Sequence, residues 1–244
     1  MKTIIGICFF TLFIFSSFTD EDPPFILKKT FSIKASHFTI DKFSNIYIAN
    51  DKTLQKYDSA FKLLYSYSDL NTGKLQLIDA GNPLKLLLFY PEFASISILD
   101  SRLSLQVEID LRSIHILQPT AICNSYNENI WVFDLQDFQL RRIDKRLIIN
   151  NESGNLTHIL GYSPHPDFMM ESNNWLYVNN PESGILVFDI YGNYYKTIPI
   201  KDVHSFQIFE DQDENCLPCI ALKRFNSRAF YNIHDQILQV LTWR

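Results

Sequence analysis

Glycine is scarce in this chain, with only 7 among 244 residues. All-β proteins usually turn their corners on glycine, the residue that enters left-handed backbone freely. Tight turns here must instead fall on Asn and Asp, which tolerate that region better than other side chains. Cysteine is equally thin. Of the four, Cys8 lies in the leader described below, and Cys123, Cys216 and Cys219 cannot all pair within one chain. A disulfide-stapled scaffold is therefore excluded. The net charge is −5, and a mildly acidic surface argues against nucleic acid as a partner, since that binding needs clustered positive charge. No HExxH zinc pattern, no Gly-x-Ser-x-Gly elbow and no glycine-rich phosphate loop occurs anywhere. No catalytic residue, metal ligand or cofactor is assigned on sequence grounds.

Long apolar runs are also missing, except at the start. Met1-Lys2, an apolar stretch over 4–15 and small residues before Asp20 have the layout of a secretory signal peptide over 1–19. The run is shorter than the roughly 20 apolar residues that span a bilayer. The expectation is an exported protein, in the periplasm, at the cell surface or secreted, with no membrane span in the mature chain. Residues 20–244 would form one domain. Loss of Lys2 makes that mature chain one unit more negative.

What is present is a repeat. A short apolar strand ends in Asp or His five times: TLQKYD (53–58), SISILD (95–100), QLRRID (139–144), GILVFD (184–189) and AFYNIH (229–234). The terminal residues Asp58, Asp100, Asp144, Asp189 and His234 are 42, 44, 45 and 45 positions apart. A period of about 40–45 residues built from short strands is that of a propeller blade. Aligned on these residues, each repeat reads as four strands. The first strands are FTID (38–41), LQLID (75–79), TAIC (120–123), FMME (168–171) and FQIFE (206–210). The fourth strands include RLIIN (146–150) and NYYKTIPI (193–200).

Many strands are apolar at consecutive positions, as expected when a sheet is covered on both faces by its neighbours. No window carries a helical period with caps, so helix content should be close to nil. The fold class is all-β: a β-propeller of four-stranded antiparallel blades, five in number, with a six-bladed or imperfectly closed ring as alternatives. The segment 25–35 reads as an extra strand, expected to pair with the 205–243 blade or to lie in an outer position beside it, covering an edge.

Asp41-Lys42-Phe43-Ser44-Asn45-Ile46-Tyr47-Ile48 approaches the Asp-x-x-Asn-x-Tyr-(Val/Ile) turn and strand of NHL and YWTD propellers, and the arrangement resembles that kind of blade. Asp22-Pro23-Pro24, KTFSIKASHFTID (29–41), NPLKLLLFYPEF (82–93) and GILVFDIYGNYYKTIPIK (184–201) make the mature chain similar to a set of uncharacterised exported proteins of Bacteroidetes. That resemblance implies a bacterial envelope location and a propeller, and brings no activity with it.

Several local patterns carry little chemistry. Cys216-Leu217-Pro218-Cys219 lies in a turn leading into a strand, without the helix N-terminus that activates redox Cys-x-x-Cys pairs. The acidic stretch 211–215 starts like a calcium loop but has Cys216 and Leu222 where such a loop needs Gly and Glu. His115, His158, His165 and His204 are scattered through inter-blade segments, and the sequons at Asn151 and Asn155 are of a kind common by chance.

Strand order separates two faces. The turns between third and fourth strands carry Asp58, Asp100, Asp144 and Asp189, residues suited to nucleating turns. The other face carries Asn50, Tyr90, Asp134, Asn179 and Asn180 at equivalent positions, and these form the candidate binding ring. The expected function is a non-enzymatic exported propeller, a binding or scaffold module for an envelope protein or glycan. The competing reading is a lactonase- or esterase-like hydrolase with a divalent cation at the channel mouth, which needs several oxygen ligands converging on one ion.

Overall fold

The computed structural model describes residues 35–50, 53–68, 73–202 and 206 in full; residues 25–32, 207–209, 219–221, 230–234 and 237–243 are described as strand backbone only. The expected signal peptide, His204, the acidic stretch 211–215 and the side chains of Cys216 and Cys219 lie outside the described residues.

After a first strand, β1 (Phe25–Ser32), four blades follow, each an antiparallel meander. Blade one contains β2 (His37–Ile40), β3 (Ile46–Ala49), β4 (Thr53–Tyr57) and β5 (Leu63–Ser68). Blade two contains β6 (Leu77–Asp79), β7 (Leu86–Tyr90), β8 (Ser95–Leu99) and β9 (Leu105–Asp110). Blade three contains β10 (Pro119–Asn124), β11 (Ile130–Asp134), β12 (Gln139–Ile143) and β13 (Ile149–Glu152). A short helix, α1 (Leu156–Leu160), leads to blade four: β14 (Phe168–Ser172), β15 (Trp175–Asn180), β16 (Gly184–Asp189) and β17 (Tyr194–Ile198). Beyond it β18 (Gln207–Phe209) pairs with β19 (Cys219–Ala221), and β20 (Phe230–His234) pairs with β21 (Ile237–Trp243). Among the described residues the propeller is thus all-β apart from two 3-10 turns, Pro91–Phe93 and Leu111–Ile114, and α1, whose first turn is capped by the Asn155 side chain accepting from the His158 amide. Asn155, half of one sequon, is a capping residue.

Strand β1 pairs antiparallel with β21, from Phe25 opposite Trp243 to Ser32 opposite Ile237. The N-terminal strand thus takes the outer place beside the last strand, which removes an open edge.

The same turn closes every described blade. The carboxylate Oδ1 of Asp58, Asp100, Asp144 and Asp189 accepts from the amides two and four positions on, at 2.8–3.0 Å. The residue three positions on takes positive φ: Phe61 (68°), Leu103 (63°), Leu147 (62°) and Gly192 (90°). The register shifts by one just before each Asp, at Lys56/Tyr57, Ile98/Leu99, Arg142/Ile143 and Val187/Phe188, the bulge that accompanies such loops. Asp41 repeats the device between β2 and β3, accepting from Phe43 and Asn45. Asn127, Asn173 and Asn174 take left-handed backbone as glycine scarcity predicts, but so do Phe61, Ala94, Leu103, Phe138 and Leu147. Packing compensates for the strain in several of these. Phe61 stacks on Tyr57 at 4.7 Å, and Leu103 is buried between blades. Because the Asp144 turn runs on to Ile148, β13 begins at 149, later than the 146–150 strand read from sequence.

Apolar faces pack blade against blade. Leu87, Ile96, Ile122 and Val132 join blades two and three; Trp131, Phe133, Leu176 and Phe188 join three and four; Tyr47, Leu54, Leu86 and Leu88 join one and two. Blade four carries its remaining face, Tyr177, Ile185 and Val187, onto Phe206. Second strands such as β7 and β11 are buried at every position, which is why their sequences do not alternate.

Candidate functional site: the central channel

The first strand of each blade has no ladder partner on its inner side, so β2, β6, β10 and β14 turn that edge toward the axis. Together with Phe206 they enclose a cavity of about 710 Å³. Four inner strands plus a residue entering β18 around one cavity is the geometry of a five-unit ring.

At the mouth beside the first turns of the blades, two carboxylates hold the turn of blade three from either side. Asp79 of blade two accepts from the Gly81 amide at 2.7 Å and, across the blade boundary, from the Asn124 amide at 2.6 Å. Glu171 of blade four accepts from Ser125 Oγ (2.6 Å), the Tyr126 amide (3.0 Å) and Trp131 Nε1 (2.9 Å). Charge-assisted bonds of this kind are the stronger ones. Cys123 lies behind this turn, fully buried; burial first, then the nearby Asp79 and Glu171 charges, push its thiol pKa up, so the thiol stays protonated and unreactive. Asn82 and Tyr126 complete this mouth.

At the opposite mouth stand His37, Gln76 and Asp167. His37 Nδ1 lies 3.2 Å from Ser36 Oγ, and burial, helped by the Lys74 charge, lowers its pKa below the usual histidine value. The imidazole is therefore neutral at neutral pH. Gln76 Nε2 donates to the Thr120 carbonyl at 3.3 Å, bridging blades two and three. Between the mouths the wall is apolar and aromatic, with Phe168 and Phe206 edge to face at 5.2 Å.

The candidate ring read from sequence sits on the His37 side, in the turns between second and third strands. Asn50 Oδ1 accepts from the Thr53 amide and hydroxyl, both at 2.9 Å. Tyr90 is buried and opens the 3-10 turn Pro91–Phe93. Asp134 accepts from the Gln118 and Gln136 amides and pairs with Arg141 at 2.8 Å. Asn179 donates to Asp167 at 2.6 Å, and Asn180 accepts from the His165 amide at 2.8 Å while donating to Ser183. Asp134, Asn179 and Asn180 tie their turns to the segment entering the first strand of their blade, whereas Asn50 bonds within its own turn. The cavity wall itself is built one strand further in, and Asn179 touches it through Asp167. Gly184, beside this ring, has φ of 118°, and a Cβ there would meet the Ile198 carbonyl oxygen at 2.3 Å.

Sequence reasoning did not single out Asp79, Glu171, His37 or Gln76. Two of them were visible as carboxylates closing the first strands LQLID and FMME; FTID and FQIFE end in a carboxylate as well and TAIC does not, so the signal did not separate these two from a common strand ending. It also missed Arg141, which pairs with Asp134, Asp137 (2.5 Å) and Glu152 (3.1 Å). Among the described residues no group of three or more His, Cys, Asp and Glu side chains gathers as a metal site, and no helix is long and apolar enough to cross a membrane.

No protein-family model matches the chain, and no curated protein matches it. Solved structures do resemble it. A streptogramin B lyase superposes with a TM-score of 0.56 at 15% identity, over 75% of this chain and 62% of that one. The WD40 domain of Neurospora crassa Pan2 gives 0.54 at 11%, over 81% and 66%. A protein of unknown function from Bacteroides caccae gives 0.50 at 12%, over 72% and 66%. The chain spans less than two thirds of the length of each. At such identities the likeness concerns the propeller fold.

Proposed function

We propose that this chain is a non-enzymatic, exported propeller of the bacterial envelope, a binding module that takes a glycan or a protein segment into the mouth of its channel. The observation that carries the reading is the axial cavity. It combines aromatic walls (Phe168, Phe206, Tyr126) with amide groups (Gln76, Asn82), the mixture that stacks on and hydrogen-bonds to sugar rings or peptide backbone. The channel carboxylates Asp79 and Glu171 are held by backbone amides and by Trp131, which makes them fixtures of the ring rather than poised acids or bases. Export and envelope location rest on the leader-like residues 1–19 and on the resemblance to exported Bacteroidetes proteins.

The test is binding of defined envelope glycans and peptides to the full chain, compared with Phe168→Ala, Gln76→Ala and a variant in which Thr39→Trp fills the channel. Retention by the native protein and loss on filling the channel is the expected result. Equal retention by the filled variant sinks the channel as the site, and no retention of any probe sinks the binding reading.

A second reading is favoured by one feature, the neutral His37 in the channel of a fold shared with a streptogramin B lyase. His37 would act there as a general base. It is checked by incubating the protein with a streptogramin B and with simple lactones, with and without divalent cations. Turnover abolished by His37→Ala would replace the binding-module reading.

A further inference from the structure

The two faces of the propeller differ in charge once every carboxylate is counted. The turn face carries the turns between first and second and between third and fourth strands. There blades one to three hold two more Lys and Arg than Asp and Glu, and blade four offsets them with Glu171 and Asp189, so the described charges balance. The link face carries the turns between second and third strands and the links between blades. Among the described residues its acids outnumber its bases two to one. They are Glu92 and Asp110 at blade two, Asp134, Asp137 and Glu152 at blade three, and Asp167, Glu182 and Asp202 at blade four. Lys74, Arg112, Arg141 and Lys201 oppose them. The His37 mouth opens on this acidic face.

The channel carries the same sign inward. Its wall holds Asp167 near the His37 mouth and Asp79 and Glu171 at the far one, with no Lys or Arg. Asp79 and Glu171 make no ion pair among the described residues. Their donors are amides, a hydroxyl and an indole, neutral groups that solvate the charge without cancelling it. Two cations stand outside the wall. Lys74 is exposed beside the His37 mouth, and the Lys85 ammonium donates to the Glu128 and Asn129 carbonyls. A cleft of one charge sign between apolar walls concentrates its field. The Phe168 and Phe206 rings add the attraction of an aromatic face for a cation. The inner edges of β2, β6, β10 and β14, which have no ladder partner, offer backbone groups to an extended chain.

From the acidic link face, the wall without a cation and the open strand edges, we propose that the ligand of the channel is a basic peptide segment. An extended chain bearing Lys or Arg enters by the His37 mouth and sets its cations against Asp167 and, deeper in, Glu171 and Asp79. This rests on the channel reading above and narrows it to one ligand class. An acidic glycan would meet like charge, and a neutral one would desolvate the carboxylates without bringing a positive partner. A small polyamine would match the charges and leave the strand edges unused.

The full chain is titrated, by fluorescence anisotropy, into short capped peptides in which Ala alternates with Lys, with Gln or with Glu. The Lys peptide should bind, less tightly in added salt, with the Gln peptide about tenfold weaker or more and the Glu peptide not retained. Met170→Lys, which puts a cation into the wall, should raise the Kd of the Lys peptide about tenfold or more. Asp167→Asn should raise it less, and Lys145→Glu, on the turn face, should leave it unchanged. The proposal is overturned if the Lys and Gln peptides bind alike, or if Met170→Lys and Asp167→Asn bind the Lys peptide as tightly as the native chain. It is also overturned if Thr39→Trp, with the channel filled, still binds that peptide, or if spermine binds as tightly as the peptide does. Failure of every peptide beside retention of a neutral glycan that Thr39→Trp abolishes would sink the basic-peptide proposal and keep the channel reading. Retention of no probe sinks both.

Discussion

Blades one and three solve the problem of joining to the next blade differently from blades two and four. In blade one Lys56, two positions before the turn aspartate, lies over the Tyr47 ring at 5.2 Å and donates to the Ser101 carbonyl of blade two at 2.9 Å. In blade three Arg142, at the same position, stacks over Tyr126 at 4.1 Å and lies 5.9 Å from the Trp131 ring centre. It reaches the Ile190 carbonyl of blade four at 3.5 Å. Both cations are buried, 5% and 3% exposed. Blade two has Leu87 and Ile98 at these two positions, and blade four has Tyr177 and Val187. One backbone frame thus accepts either a cation over an aromatic ring, hooked to the next turn, or plain apolar packing. The hook supplies direction and reach, and the apolar pair supplies area. A buried cation costs desolvation, and for Lys56 that cost shows as a pKa held below the usual lysine value by burial, although Asp41 and Asp100 act the other way.

The sharpest way to break this comparison is at Trp131, which is completely buried, carries the Arg142 cation and donates to Glu171. Trp131→Ala should cost about 3–5 kcal/mol in chemical denaturation, the range for deleting a buried aromatic. A loss under about 1 kcal/mol would mean that the three–four interface does not depend on it. Next comes the hook itself. Arg142→Ile, which copies blade two, leaves the Ile190 and Tyr126 carbonyls without their donor and should cost about 2 kcal/mol. The double change Trp131→Leu with Arg142→Ile imports the whole blade-two pair. If the two solutions are equivalent, its cost falls below the sum of the single changes, as a double-mutant cycle would read. Lys56→Ile should cost less than Arg142→Ile, about 1 kcal/mol, because Lys56 gives up a single carbonyl bond and escapes its desolvation.

The four-strand blade, its strand order and the aspartate turns were legible in the sequence, because each is written four or five times at one spacing; β1 was legible only as an extra strand beside the last blade. The hooks are written twice, in TLQKYD and QLRRID, as a charge inside an otherwise apolar strand. That signal reads as an imperfection until the aromatic partner 9 or 11 positions earlier is placed beside it. The channel was harder still. Its wall comes from the first strands, whose equivalent positions hold Thr39, Asp79, Cys123 and Met170, four unlike residues with no shared pattern. Asn50, Asp134 and Asn180 look alike because they serve like turns. Repetition in a propeller records what every blade must do to fold, whereas a ligand site needs each blade to contribute something different.

The smallest effect separates the turn aspartates from the channel by pH. Amide bonds from Ser104 and then Arg102 hold Asp100 below the ordinary carboxylate pKa, and the Ile148 amide chiefly does so for Asp144. At Asp189 partial burial pushes upward, but bonds from the Asn193 side chain and amide, with Tyr191 and Gly192, outweigh it. A carboxylate depressed in the fold contributes stability that is complete above its unfolded pKa, about 3.9, and is lost as pH falls through the folded value. His37 acts in a higher window. Its folded pKa is also depressed, so below about 6.5 the unfolded chain binds the proton more readily and stability drops as pH falls. Urea midpoints between pH 7.5 and 3 should therefore decline in two stages. His37→Gln should flatten the upper stage and leave the lower one. Asp189→Asn, which keeps an oxygen acceptor but removes the charge, should lower the midpoint at pH 7 and flatten the lower stage alone. If both variants altered the same stage, the turn face and the channel would have to share one titrating network, and the separation of the turn ring from the axial channel would fail.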